Sequence, residues 1–78
     1  MTLADAKALP LMGRPESWGC RGGKPLGEIP DGVLRQARRF FSEICKQEPN
    51  ARAEQQVEAI QLILADREAH NPQQLLSL

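Results

Sequence analysis

Two long stretches of the chain repeat their apolar residues at the spacing of an α-helix. In the first, residues 32–47, apolar positions recur at i, i+3, i+4 and i+7. In the second, residues 51–69, a similar stripe is flanked by glutamate and glutamine. Pro49 ends the first segment, and Asn50 can cap the second. Because the connection between them is short, the pattern predicts an antiparallel helix pair.

The two stripes also predict which side chains form the core between the helices. Asp31 stands at the start of the first helix, where its carboxylate can accept from free backbone amides as an N-cap. Leu62 lies off the stripe of the second helix and indicates a second contact. The predicted core residues are Phe40, Phe41, Ile44, Val57, Ile60 and Leu64, with Trp18, Leu26 and Ile29 closing one end.

The residues before the first helix predict a turn between two short extended pieces. Three of the five residues 19–23 are glycines, and Lys24, Pro25 and Leu26 follow them. Because glycine reaches positive φ without a Cβ penalty, we expect positive φ at Gly19 or Gly23. The predicted fold class is α+β and helix-dominated, with a small Gly-rich β-hairpin packed on an antiparallel helix pair.

The same pattern divides the chain into three parts. Residues 1–16 contain two prolines and a glycine without sustained periodicity, which predicts a flexible N-terminal tail that includes at most a short helical turn. Residues 17–70 form the predicted hairpin and two-helix domain, and residues 71–78 a C-terminal turn or tail. A chain of 78 residues has room for one small core.

One stretch of the chain, from Trp18 to Leu34, carries a fixed series of residue types. The residues concerned are Trp18, Gly19, Gly23, Lys24, Pro25, Leu26, Glu28, Ile29, Pro30, Asp31 and Leu34. The series resembles the signature F-G-K-[YH]-K-G-K-P-L-x-E-[IL]-P-D-x-Y-L-x-W. That signature belongs to a small domain of exodeoxyribonuclease X-type nucleases, some phage single-strand annealing proteins and the quorum-sensing-regulated virulence factor family. The resemblance implies a setting in DNA processing.

The chain departs from that signature at positions that are usually basic or aromatic. Cys20 and Gly22 replace two lysines, Arg21 replaces a tyrosine or histidine, and Val33 replaces a tyrosine. The predicted hairpin has therefore lost much of the basic and aromatic surface that the signature carries.

Charge is balanced over the whole chain and uneven along it. Ten basic and ten acidic residues give a net charge of zero. Residues 1–47 hold eight Lys or Arg and five Asp or Glu, whereas residues 48–78 hold two and five. Any attraction to phosphate must therefore come from one face of the first half, because the whole chain lacks the basic excess of most nucleic-acid binders.

The first helix carries a group of cations opposite its apolar stripe. Their spacing brings Arg35, Arg38, Arg39 and Lys46 onto neighbouring turns, where they can bind phosphates. A solvated helix face is the alternative interpretation. Arg21 and Lys24 from the predicted hairpin would extend the patch. Trp18 either stacks on an unpaired base or anchors the core. The predicted nucleic-acid-binding residues are Arg21, Lys24, Arg35, Arg38 and Arg39.

The sequence offers no pattern typical of catalysis or of a bound cofactor. Cys20, Cys45 and His70 lack the paired spacing of zinc sites, and no Ser-His-Asp arrangement can be argued. Residues 19–24 lack the phosphate-loop motif because Pro25 follows the lysine. We therefore expect no enzyme activity, no metal and no cofactor. The two cysteines form either one disulfide or, in the expected cytoplasmic setting, a reduced pair.

These observations leave two functions open. The first is a non-catalytic accessory module of phage or bacterial DNA-processing and recombination machinery, which binds single-stranded DNA weakly and has a recombinase or nuclease as its protein partner. The alternative is a protein-interaction adaptor or homo-oligomerisation module that acts through the second helix and the Leu-rich C-terminus. Neither function involves a membrane. The predicted partner-binding residues are Leu62, Leu75, Leu76 and Leu78.

Overall fold

A computed structural model describes residues 1–70 as a set of helices around one long central helix. None of these helices combines the length and apolar character that crossing a bilayer requires. In chain order the elements are α1 (Leu3–Ala8), the single turn α2 (Ser17–Cys20), in which Trp18, Gly19 and Cys20 have positive φ, a 3-10 turn (Leu26–Glu28), α3 (Asp31–Gln47) and α4 (Ala51–Ala69).

The antiparallel pair of α3 and α4 confirms the prediction from hydrophobic spacing. Both helices begin and end within one residue of the predicted positions. Arg67, near the end of α4, pairs with Asp31 at the start of α3, which fixes the antiparallel direction. Asn50 caps α4 as expected, since its Oδ1 accepts from the backbone N–H of Arg52 and of Ala53 at 3.1 Å each.

The start of α3 differs from the prediction that Asp31 is its N-cap. Pro30 is the N-cap residue, and no side chain caps the helix there. Asp31 is the first helical residue, and its carboxylate pairs with Arg67. The guanidinium from α4 takes the carboxylate that would otherwise accept from the first-turn amides, so tertiary contact replaces local capping.

The core surrounds α4. The helix packs on α3 along one side and on α1 and the 3-10 turn along another. Gln56 is buried on α4, and its side-chain amide accepts from the Met12 N–H at 3.2 Å and donates to the Pro10 carbonyl at 3.0 Å. The buried apolar residues are Ala6, Leu11, Leu26, Ile29, Leu34, Ala37, Phe41, Ala53, Ala59, Ile60, Ile63 and Leu64.

The predicted helix-pair core is correct in part. Phe41, Ile60 and Leu64 are buried, while Ile44 and Val57 are partly buried against the core. Phe40 is 53% exposed, so its assignment to the core was wrong. Neighbouring helical residues point about 100° apart. Of the two phenylalanines, Phe41 is therefore the one that continues the buried line of α3.

The predicted β-hairpin is wrong, and the fold of residues 1–70 is helical with no β-strand. Residues 23–26 pair instead with residues 9–11, through a single antiparallel bridge between Pro10 and Pro25. The Leu11 N–H donates to the Lys24 carbonyl at 2.8 Å, and the Gly23 N–H donates to the Leu11 carbonyl at 2.8 Å. Because proline has no N–H, the prolines at the bridge cannot donate to an extended ladder.

The N-terminal segment packs on the helices. Thr2 and Asp5 form a reciprocal capping box at the start of α1. Ala6 and Leu11 are 0% and 1% exposed and belong to the core. The hydrophobic pattern predicts a flexible tail over residues 1–16. Part of this segment is instead packed against α4 and the 3-10 turn. The predicted C-terminal turn or tail, residues 71–78, lies outside the described residues.

Candidate nucleic-acid interface

The cations of α3 line an open groove beside the buried stripe, here called the basic groove. Gln61 of α4 borders it on the opposite side, so the groove runs along the helix pair. Its volume is about 610 Å³. The residues of α3 that line it are Arg35, Arg38, Arg39, Ser42, Glu43 and Lys46.

Three arginines of the basic groove carry charge that is not neutralised locally. Arg35 and Arg39 are exposed and Arg38 is half-buried. Within residues 1–70 their side chains make no hydrogen bond and no ion pair. Spacings of three and four residues place them on one face within little more than a turn. An anion in the groove would therefore meet three cationic groups that need not break other contacts.

The far end of the basic groove is less positive. Lys46 donates to Glu43 at 3.3 Å, and both side chains are mostly exposed. This ion pair offsets the charge of Lys46 and leaves a carboxylate near the groove. The attraction for phosphate is therefore strongest toward the N-terminal half of α3.

An aromatic cluster lies next to Arg39 and Glu43 of the basic groove. The ring centroids of Trp18 and Phe40 are 5.6 Å apart, and those of Phe40 and Phe41 are 5.5 Å apart. Trp18 also lies 6.0 Å from Phe41, and all three contacts are edge-to-face. Phe41 is buried, while Trp18 is half-buried and Phe40 exposed. The cluster therefore joins the core to the surface.

A left-handed turn of backbone holds Trp18 in place. Trp18, Gly19 and Cys20 all have positive φ, at 57°, 67° and 69°. This conformation costs about 1–2 kcal/mol for each non-glycine residue. The indole Nε1–H donates to the Met12 carbonyl at 3.3 Å, and Arg21 donates to the Trp18 carbonyl at 3.3 Å. These bonds offset part of the cost and fix the indole against Phe40.

The exposed part of the cluster opens into a second depression, here called the aromatic cleft, with a volume of about 530 Å³. Arg39 and Glu43 line both the aromatic cleft and the basic groove. The exposed aromatic surface and the row of cations therefore meet at Arg39 and Glu43. The residues that line the aromatic cleft are Trp18, Gln36, Arg39, Phe40 and Glu43.

The structure brings together some of the predicted nucleic-acid-binding residues and separates others. Arg35, Arg38 and Arg39 share the basic groove. Arg21 is half-buried, and its guanidinium supports the turn at Trp18. Lys24 is exposed and lines neither the basic groove nor the aromatic cleft. The basic groove therefore contains the three predicted cations of α3 and neither of the two predicted cations of the loop.

The predicted partner-binding residues divide in the same way. Leu62 is partly buried and packs against the core, so much of its surface is already used within the chain. The other three predicted residues, Leu75, Leu76 and Leu78, lie outside the described residues.

Sequence reasoning missed Phe40 as an exposed aromatic. A signal for it exists, because Leu34, Ala37, Phe41 and Ile44 share one line of α3 and Phe40 falls beside that line. The two glycines expected to reach positive φ do so, at 67° for Gly19 and 82° for Gly23. Both therefore serve loop geometry, although not that of a hairpin.

The remaining reactive side chains do not converge. Cys20 is exposed and Cys45 half-buried, and both are free thiols. The His70 ring contacts Asp66 at the end of α4, with its Nδ1 2.8 Å from the Asp66 carbonyl oxygen. Residues 1–70 contain no group of three or more side chains placed to hold a metal ion.

No family model, curated protein or solved structure matches this chain.

Proposed function

We propose that this protein is a non-catalytic accessory module of phage or bacterial DNA-processing and recombination machinery, and that it binds single-stranded DNA through the basic groove. One observation carries the proposal. Arg35, Arg38 and Arg39 share one face of α3 and make no ion pair within residues 1–70. Cations of this kind release counterions from a phosphate backbone when they bind it.

The proposed binding is weak and strongly salt-dependent. Each neutralised phosphate contributes about −0.7 to the slope of log K against log salt on a single strand, so three arginines give about −2. The net charge of zero supplies no long-range attraction beyond this face. A weak DNA-binding module fits an accessory role in which a recombinase or nuclease supplies the chemistry.

The DNA-processing setting is supported by the resemblance of residues 18–34 to the small domain of nucleases and annealing proteins. That support is an analogy at the level of a motif, so it concerns the setting and not the contacts. The cytoplasm, where bacterial and phage DNA is processed, is the compartment that follows from this proposal.

The proposal is tested by fluorescence anisotropy with a labelled dT20 oligonucleotide at several salt concentrations. The variant Arg35→Glu/Arg38→Glu should weaken binding at least tenfold and flatten the salt slope by more than one unit. The control Lys24→Glu/Arg52→Glu changes net charge equally, and its residues line neither the groove nor the cleft. The control should bind nearly as well as the parent protein. Equal losses in both variants would contradict a specific role for the basic groove.

The second candidate is an adaptor or homo-oligomerisation module that acts through α4 and the Leu-rich C-terminus. Its support is an adjoining cleft of about 320 Å³ between α3 and α4, which shares Ser42 and Gln61 with the basic groove and where Cys45 and Val57 are flanked by Glu54 and Glu58. An apolar strip between carboxylates suits a basic amphipathic segment of a partner. Absence of DNA binding by folded protein at low salt, together with concentration-dependent association in sedimentation, would favour this function.

A further inference from the structure

We infer that the aromatic cleft receives one unpaired nucleobase, stacked on Phe40, while Arg39 contacts the adjoining phosphate. The inference rests on the proposed function and adds to it the feature that distinguishes a single strand from a duplex. In a duplex the bases stack on one another, so an aromatic side chain reaches the face of an unpaired base without the cost of unstacking a base step.

The first support is the position of Phe40. Its ring is 53% exposed, yet Trp18 and Phe41 both contact it at centroid distances below 6 Å. The ring is therefore fixed before a ligand arrives, which lowers the entropic cost of stacking. The cleft volume of about 530 Å³ lies within the range of small-ligand sites, about 300–1,000 Å³.

The second support is the backbone conformation that presents Trp18. Two non-glycine residues, Trp18 and Cys20, adopt the left-handed region in succession around Gly19. Conformations of this kind persist only where surrounding contacts impose them, and they are concentrated at functional sites. Here the imposed turn places the indole beside Phe40 and so builds one wall of the aromatic cleft.

The third support is charge complementarity across the boundary between cleft and groove. Arg39 and Glu43 line both; Glu43 pairs with Lys46, whereas Arg39 makes no ion pair within residues 1–70, and Phe40 follows Arg39 directly in sequence. A nucleotide combines an apolar ring face with a phosphate a few ångströms away, and this boundary offers an aromatic ring beside a guanidinium. Arg35 and Arg38 continue the row for the next phosphates along the strand. A chain of alternating bases and phosphates therefore matches this surface.

The experiment compares three probes and two variants of the full chain. The probes are dT12, an abasic deoxyribose-phosphate 12-mer and a 12-base-pair duplex. Phe40→Leu keeps an apolar side chain without a ring, and Phe40→Tyr keeps the ring. Because Trp18 is the only tryptophan, its intrinsic emission reports directly on the cleft. Circular dichroism melts confirm that both variants stay folded.

We expect Phe40→Leu to bind dT12 about 5- to 100-fold more weakly than the parent, with an unchanged salt slope, and Phe40→Tyr to retain affinity. The dT12 probe should quench Trp18 emission, whereas the abasic probe should not. If the parent binds dT12 and the abasic probe equally and Phe40→Leu changes nothing, the stacking inference fails while the proposed function stands. If no probe binds at low salt, both fail. If sedimentation shows that the parent self-associates and Phe40→Leu does not, the cleft is a protein contact and the inference is overturned.

Discussion

The two long helices have similar lengths and opposite roles. α3 buries three residues on one line, Leu34, Ala37 and Phe41, with Val33, Ile44 and Cys45 partly buried beside them, and its opposite face is mostly exposed. α4 buries six residues spread over a wider arc, because α3 covers one side and α1 with the 3-10 turn covers another. A helix packed on one side keeps a free face for charged and aromatic side chains. The candidate interface therefore lies on α3, and α4 supplies the support.

The side chains of the candidate site therefore contribute little to the stability of the fold. The arginines of the basic groove and Phe40 lie outside the buried line of α3, and Arg35, Arg39 and Phe40 are exposed, so their side chains can be exchanged without opening the core. The six buried residues of α4 have no such freedom. Binding and stability should therefore be separable by mutation.

The adjacent phenylalanines of α3 give the largest expected contrast. Phe41→Ala should lower the free energy of unfolding by about 3–5 kcal/mol, because it leaves a cavity between α3 and α4. Phe40→Ala should cost about 1 kcal/mol or less, since the ring is half exposed and loses mainly aromatic contacts. Urea denaturation of both variants measures the difference. Equal losses would show that the two faces of α3 are not distinct.

Arg67 joins the end of α4 to the start of α3. Its guanidinium donates to the carbonyls of Ile29 at 2.9 Å and Gly27 at 3.1 Å and pairs with Asp31. Arg67→Met should cost about 2–4 kcal/mol, because it leaves two carbonyls and a carboxylate without this partner. Arg52→Met, at an exposed position of the same helix, is the control in thermal melts. A small effect at Arg67 would mean that water replaces all three contacts.

Two glycines differ in the space that is available for a side chain, one in the packed loop and one on the exposed face of α3. A Cβ at Gly22 would lie 1.7 Å from the Arg14 carbonyl oxygen, whereas a Cβ at Gly32 in α3 would meet nothing within 4 Å. Gly22→Ala should destabilise by about 1–3 kcal/mol, because the backbone must move. Gly32→Ala should stabilise by about 0.5–1 kcal/mol through helix propensity. Chemical denaturation that gives the same sign for both would contradict the tight closure of the loop.

The helix starts give the smallest effect. Asn50 caps α4 with its side chain, whereas α3 begins without a side-chain cap. Asn50→Ala should cost about 1 kcal/mol. Hydrogen exchange should increase first at the amides of Arg52 and Ala53, while exchange at the start of α3 should not change. Faster exchange at both ends would show that the helix pair opens as one unit.

Sequence periodicity succeeded where one face of a helix decides its burial. The apolar line of α3 and the helix-ending and helix-capping residues Pro49 and Asn50 predicted the bounds of α3 and α4 to within one residue, because helical spacing and capping are local properties. The same reasoning grouped Arg35, Arg38 and Arg39 correctly, since residues three and four apart on a helix are neighbours whatever surrounds them.

Local patterns failed where the outcome depended on contacts distant in sequence. Residues 23–26 form backbone hydrogen bonds with residues 9–11 of the N-terminal segment. The Gly-rich run is therefore an irregular loop instead of a hairpin. A glutamine such as Gln56 is usually exposed on a helix surface. In this protein it is buried, and its side-chain amide forms hydrogen bonds with the backbone of Pro10 and Met12.

The sequence by itself determined the two long helices and the row of cations on α3, because helix spacing and capping act within a few residues of the chain. Only the tertiary structure decided that α4 is central, that Asp31 pairs with Arg67, and that Phe40 faces outward beside Trp18. Each of these depends on which distant segment covers a given surface. The free energy that favours one packing arrangement comes from burying apolar surface and from satisfying backbone hydrogen bonds over the whole fold. A short window of sequence does not contain this information.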